Sequence, residues 1–258
     1  MKDRTLQRLA TGGRGAVIFV GLILVWWGVT LFGIPPYMLP SPTTVAEALW
    51  KGRAYLTDHT LITAYEIALG LFFGLLLGAA LALLMVFSPA VQRWLMPVLV
   101  ISQSIPVFAM APLLVLWFGF GTLSKVVMAI LIIFFPVAAS FFDGLRRTET
   151  GWLDLAKTMN ASSFAEMRHV RLMAALPAFG SGLRVAAAVA PIGAVVGEWV
   201  GSSGGLGYVM LNANARVQTD VCFAALFVLA LMAVLLWQAV DVVLRRVLYW
   251  VPDSAKSA

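Results

Sequence analysis

The residues that first suggest chemistry lie between 197 and 221. Gly201, Ser203 and Gly205 fit the nucleophile pattern G-x-S-x-G, and GSSG at 201–204 fits a shorter serine motif used inside membranes. A serine nucleophile needs a general base within hydrogen-bond reach. The chain has two histidines, His59 and His169, and the apolar pattern puts both in loops on opposite sides. The glycines and serines therefore read as a flexible turn. No His, Cys or carboxylate cluster has metal-ligand spacing, and the single cysteine, Cys222, excludes an internal disulfide. No G-x-x-x-x-G-K-[ST] phosphate loop occurs either, so the chain lacks the nucleotide site of that ATPase class.

Two carboxylates border apolar runs. Glu66 reads as a solvated helix end, whereas Glu198, beside Trp199, reads equally as an interfacial group or as part of a gate. Gln103 and Ser104 sit in an apolar run that also holds Pro106 and Pro112. Prolines free backbone groups that protein or water must satisfy, which favours a kinked, pore-facing helix, and Gln103 and Ser104 read equally as pathway-lining groups or as interhelical hydrogen bonds. Ser203 joins Gln103, Ser104 and Glu198 as candidates for that pathway or its gate.

The polar island from Asp154 to Pro177, DLAKTMNASSFAEMRHVRLMAALP, reads as two short helices joined by a turn. Trp152, Leu155, Ala156 and Met159 recur at helical spacing, with Asp154 and Lys157 beside them. Asn160 suits the left-handed residue that ends a helix. Ser163 with Glu166 three residues on fits a capping box for the second helix, which runs through Val170 and Leu172, and Pro177 opens a new apolar helix.

The elements that must position these residues are set by composition. The 258 residues are 61% hydrophobic and 12% charged, with a mean hydropathy of +0.93, so the chain is an integral membrane protein and all-α. The expected spans are six: 16–32, 63–87, 96–118, 126–142, 178–196 and 222–244. A short interfacial helix, capped by Ser41 with Pro42 at its first position, follows the first span. In the second, Gly70, Gly74 and Gly78 form a small-residue face for close packing. The formal charge of +6 is read by side of the membrane rather than as affinity for nucleic acid. The N-terminal stretch, the 88–95 turn, the 143–177 loop and the C-terminus carry thirteen Lys and Arg. Lys51, Arg53, Lys125 and Arg216 make four on the other side, which places both termini and the 143–177 loop in the cytoplasm. Arg184, within reach of that face, is expected to be structural.

The 154–177 island resembles the coupling loop of ABC-importer permeases, Glu-Ala-Ala, three residues, Gly, nine residues, Ile-x-Leu-Pro. Asp154 stands at the Glu, Ala156 at the second Ala, Asn160 at the Gly, Val170 at the Ile and Leu172 at the Leu. Leu155, Asn160 and Met173 depart from the pattern. LPSPTTVAEAL and the 182–220 segment are similar to permeases for nitrate, taurine and aliphatic sulfonates. KTMNAS, APIGAVVGEWVGSS and LNANARVQTD are most similar to the branch assigned to hydroxymethylpyrimidine, a thiamine precursor.

The resemblance implies one six-helix permease domain over 1–258, with a cytoplasmic coupling loop at about 143–177 and an outer loop at about 197–221, in a bacterial inner membrane. It implies a cytoplasmic ATPase dimer that binds ATP and Mg, a second permease subunit making a homodimer, and an extracytoplasmic substrate-binding protein that selects cargo. It assigns ATPase coupling to Asp154, Ala156, Lys157, Asn160, Ser163, Val170, Leu172 and Pro177. The alternatives are a secondary transporter driven by an ion gradient, for which neither repeated halves nor a mid-span carboxylate is found, and an intramembrane serine protease.

Overall fold

Long apolar runs can satisfy their backbone in a bilayer only as helices, and the computed structural model is helical throughout its regular elements. It describes residues 17, 18 and 20–251. The basic N-terminal residues and Lys256, counted above for orientation, lie outside these. In chain order the helices are α1 (Val20–Thr30), α2 (Pro42–Lys51), α3 (Arg53–Phe87), α4 (Pro89–Ser104), α5 (Val107–Phe118) and α6 (Thr122–Arg146). They continue as α7 (Thr150–Thr158), α8 (Ser163–Glu166), a π segment (Met167–Arg171), α9 (Leu172–Gly201), α10 (Leu206–Ala215) and α11 (Thr219–Val247). Among the described residues α3, α6, the α8–α9 run and α11 are each long and apolar enough to cross a membrane. The pair α4 and α5 passes the same test together, bent by 100°.

Several boundaries differ from expectation for definable reasons. The 88–95 turn is helical, because Ser88 caps α4 by accepting from Val91 N–H and Pro89 starts it. The expected 96–118 span is therefore two helices, broken after Gln103 and Ser104 where Pro106 cannot donate to the ladder. Pro177 does not start a helix. It lies inside α9, as does Pro191, and each removes one backbone hydrogen bond without ending the helix. The 197–221 loop is not a free turn, since α10 occupies ten of its residues, Leu206–Ala215.

Chain contacts divide the molecule into two units. One comprises the described residues up to 58 and 209–228. In it Trp26 Nε1 donates to Pro40 O (3.1 Å), the Trp26 ring stacks on Phe223, and Thr219 Oγ1 donates to Tyr37 O (2.8 Å). Ser41 caps α2 as expected, accepting from Thr44 N–H. The turn after α10 is a Schellman motif, with Gln218 N–H donating to Ala213 O and Val217 N–H to Asn214 O. Its left-handed residue is Val217, at φ 59°, a conformation that crowds a β-branched side chain. Val217→Gly is accordingly expected to raise stability by about 1 kcal/mol. Thermal unfolding of the detergent-solubilised protein measures it, and a lower midpoint would contradict the strain.

The second unit holds 59–208 and the described residues from 229. Its centre is the pair α6 and α9, whose apolar stretches are half buried, against about a tenth for α11. Small residues make this possible. A Cβ on Gly182 would strike Pro136 O and Ser140, one on Gly193 the Cα of Ala129, and one on Gly197 the Cα of Lys125. Ala186, Ala190 and Ala194 fill the intervening positions without exposure. The expected Gly70, Gly74 and Gly78 face packs on the same helix, meeting Ala129, Ile133, the Phe134 carbonyl and Val137. Two apolar clusters follow, one around Ile133, Val137 and Ala190, the other around Met85, Phe134, Phe141, Phe142 and Leu145. Arg184 is held by Asp241 of α11, Nε to Oδ1 at 2.8 Å, and Arg245 Nε reaches Oδ2 at 2.7 Å. The pair fixes α9 to α11 inside the protein, where side-chain reach to a membrane surface had been expected.

Candidate functional site: a buried ionic network and the loop at the opposite helix ends

At the end of α6 that carries Lys125, the ends of α3, α9 and α10 converge on polar side chains withdrawn from solvent. Thr63, Glu66, Lys125 and Glu198 are all buried, Glu66 and Glu198 at 1% exposure. Neither Glu66 nor Lys125 is the solvated group expected of it. Lys125 Nζ lies 3.0 Å from Glu66 Oε1, and the Glu198 carboxyl neighbours that of Glu66, so two carboxyl groups share one ammonium. Burial of charge is tolerable only with such compensation.

Glu198 is also a helix cap. Its Oε2 accepts from Gly207 N–H (2.5 Å) and its Oε1 from the Thr63 hydroxyl (2.6 Å), while Thr63 Oγ1 accepts from Leu206 N–H (2.8 Å). Of the first amides of α10, that of Gly207 thus meets the Glu198 carboxyl and that of Leu206 the Thr63 hydroxyl, acceptors of the kind a helix N-terminus requires. Gly205 is required here. Its φ is +103°, and a Cβ would collide with the Glu198 carboxyl. His59 completes the latch, its Nδ1 accepting from Gly205 N–H at 2.9 Å. His59 lies on α3, not in the loop assigned to it, and its Nδ1 faces that amide. Ser203, two residues away, is exposed.

Sequence reasoning found Glu198 but missed Thr63, Lys125, His59, Gly205 and Gly207 as its partners. Thr63 and His59 stand on α3, 135 residues or more before the groups they bond, Lys125 stands on α6, and Gly205 and Gly207 hide in a glycine run. A signal existed: Glu66 and Lys125 are opposite charges at the ends of two apolar runs, and intramembrane charges pair. Gln103 and Ser104 are elsewhere, exposed at the α4–α5 break.

The opposite ends of α6 and α9 carry the 143–177 loop. Here α7 ends in a Schellman motif, with Ala161 N–H donating to Ala156 O and Asn160 N–H to Lys157 O. Asn160 is left-handed, φ 54°, as expected. The next helix is capped by Ser162, which accepts from Ala165 N–H, so Ser163 is its first residue; the residue three after the cap is Ala165, and the expected Ser163–Glu166 capping box does not form. Glu166 is consequently free to pair with Arg171, Oε1 to Nε at 2.8 Å.

The faces of α7 also differ from expectation. Ala156 is turned inward, 7% exposed, whereas Trp152, Leu155 and Met159 are exposed, as is Phe164 of α8. Asp154 and Lys157, 3.5 Å apart, flank it in solvent, where such a pair contributes little to stability. Val170, Leu172 and Pro177 are half buried along the following helix.

The family described as "Binding-protein-dependent transport system inner membrane component" matches residues 70–249. A probable ABC transporter permease protein of Haemophilus influenzae is 54% identical over 96% of this chain and 99% of its own length. The formylaminopyrimidine transport permease ThiX of Halalkalibacterium halodurans is 35% identical, covering 90% of this chain and 94% of that one. The riboflavin transport system permease RibX of Chloroflexus aurantiacus is 38% identical over 96% and 94%. Among solved structures, an inward-facing MetNI methionine ABC transporter chain superposes with a TM-score of 0.65 at 21% identity, over 75% of this chain and 96% of that one. That likeness concerns the fold.

Proposed function

Since the chain belongs to the binding-protein-dependent transport system inner membrane component family and is a multi-pass ABC transporter permease subunit, we propose that it forms the path for a small nitrogen heterocycle and is driven by a separate ATPase. The observation that carries the ATPase assignment is the exposure of four large apolar side chains, Trp152, Leu155, Met159 and Phe164, on the 143–177 loop. Four large apolar side chains on a charged loop have no bilayer to enter, and a protein partner accounts for them. In this reading two ATPase subunits bind ATP and Mg in the cytoplasm, a second copy of the permease completes the pathway, and a binding protein delivers cargo from outside. Both termini lie in the cytoplasm of a bacterial cell. Asp154, Lys157 and Asn160 shape the docking loop, Val170, Leu172 and Pro177 pass its movement to α9, and Ala156 supports it from within. Gln103 and Ser104 line the path at the helix break, and Glu198 closes its outer end near Ser203.

For cargo, the thiamine-precursor pyrimidine is supported by the similarity to a formylaminopyrimidine permease, and the riboflavin permease extends the same chemistry, a flat ring system containing a pyrimidine.

The test is to solubilise the tagged permease gently from its native membrane and ask whether an ATP-hydrolysing partner co-purifies. Leu155→Asp is expected to reduce the co-purified ATPase at least tenfold, because it buries a carboxylate in an apolar contact, while the permease keeps its melting temperature. Ala156→Asp is expected to lose the partner as well, but with a lower melting temperature, since that position is inside. If no ATPase accompanies the folded wild type in several detergents, the reading fails. Glu66 and Glu198 then become the ion sites to test for a gradient-driven transporter.

A further inference from the structure

Between the docking loop and the long helix α9 lies the π segment Met167–Arg171. Its closing bond is explicit, Leu172 N–H donating to Met167 O five residues back. Two side-chain relations depend on this register. Glu166 and Arg171, five apart, form a part-buried ion pair at 2.8 Å. Met167 and Leu172, also five apart, both pack on the cluster of Met85, Phe141 and Leu145. At about 3.6 residues per turn, five residues sweep roughly 500°, which would set the members of each pair roughly 140° apart and separate them. A π turn brings both into line.

From this we infer that Glu166 and Arg171 are positioning residues for energy coupling, a charged pair that holds the π register and so fixes how α7 is turned relative to α9. The inference rests on the ATPase-driven reading above. One extra residue per turn is a discrete state. If the segment relaxed to an α-helix, α8 and the turn that joins it to α7 would rotate by roughly 100° about the axis of α9 and advance by about 1.5 Å, while α6 stays seated on α9. The face of Trp152, Leu155 and Met159 would then be presented in another direction. The core contact of Met167 resists this rotation from the apolar side, and the ion pair resists it from the polar side.

The experiment uses the complete complex of permease, ATPase and binding protein in liposomes, and reads cargo transported per ATP hydrolysed. Glu166→Gln is expected to lower that ratio at least fivefold while ATPase binding and the melting temperature stay near wild type. The exchange Glu166→Arg with Arg171→Glu is expected to return it to within twofold of wild type. Deleting exposed His169, which removes the extra residue, is expected to uncouple the complex with or without the exchange. A Glu166→Gln ratio equal to that of wild type, or an exchange no better than Glu166→Gln alone, overturns the inference. If Glu166→Gln fails to assemble, the exchange variant decides by the same criterion. A wild-type permease that binds no ATPase overturns the proposed function, and this inference with it.

Discussion

Lys125→Ala is expected to destabilise the solubilised protein by about 3–5 kcal/mol, because it strands two buried carboxyl groups without their cation. Glu66, at 1% exposure, has only the Lys125 ammonium at 3.0 Å as a counter-charge among its described contacts. The loss is not confined to α6. Glu198 neighbours Glu66 and holds the first amides of α10 together with Thr63, so removing the cation should also loosen the 202–208 turn. Denaturant unfolding gives the global effect, and hydrogen exchange at Gly205, Leu206 and Gly207 the local one. The double variant Lys125→Met with Glu66→Gln removes that pair at similar volume, leaves Glu198 to its Thr63 and Gly207 donors, and is expected to recover part of the loss. A Lys125→Ala protein within 1 kcal/mol of wild type would show that the ammonium does not compensate these carboxyl groups.

Gly193→Leu should be comparably severe for a different reason. The Gly193 position stands against the Cα of Ala129, which cannot move aside as a side-chain tip can. A leucine there must push α9 off α6 along the best-buried seam of the molecule. Overpacking of this kind costs about 3 kcal/mol or more, and low yield of folded protein is the expected outcome. The neighbouring residue supplies the control. Ile192 is 55% exposed, so Ile192→Leu is expected to change stability by no more than about 0.5 kcal/mol. Equal melting temperatures for the two variants would refute the close seam.

What could be read from the sequence was chemistry that acts over a few residues. The Ser41–Pro42 start of α2 and the left-handed Asn160 follow from single side chains and their immediate backbone, and both are found. The Gly70, Gly74 and Gly78 face followed from its spacing. Helix continuity was harder to read, because an apolar run has one periodicity whether or not it is interrupted. Pro177 is absorbed within α9, while the Ser104–Pro106 region breaks the chain by 100°. Nothing local distinguishes the two prolines. Ser162 rather than Ser163 takes the cap, since the chain leaves the Schellman turn at Ala161 with Ser162 already extended, and adjacent serines do not say in the sequence which of them caps. The ionic network was least legible. Thr63 and Glu198 are 135 residues apart, and no pattern in either segment names the other. Glu66 and Lys125 looked like solvated ends because each borders a polar stretch, whereas helix packing turned both inward. The α6–α9 seam was missed for a related reason: its residues 182, 186, 190, 193 and 197 are spaced four, four, three and four, and only the partner helix shows that they form one face.

The glycine and alanine seams that join α3, α6 and α9 leave no space into which side chains could yield. Packed this closely, the three helices form one stiff body, with the 143–177 loop at one edge and the ionic network at the other. α9 alone contains 30 residues, a beam about 45 Å long. Tilted by about 5°, such a beam carries its far edge through about 4 Å, more than the length of a hydrogen bond. A tilt of that size at the loop edge would thus part the far edge from whatever it abuts before it disturbs the bonds within.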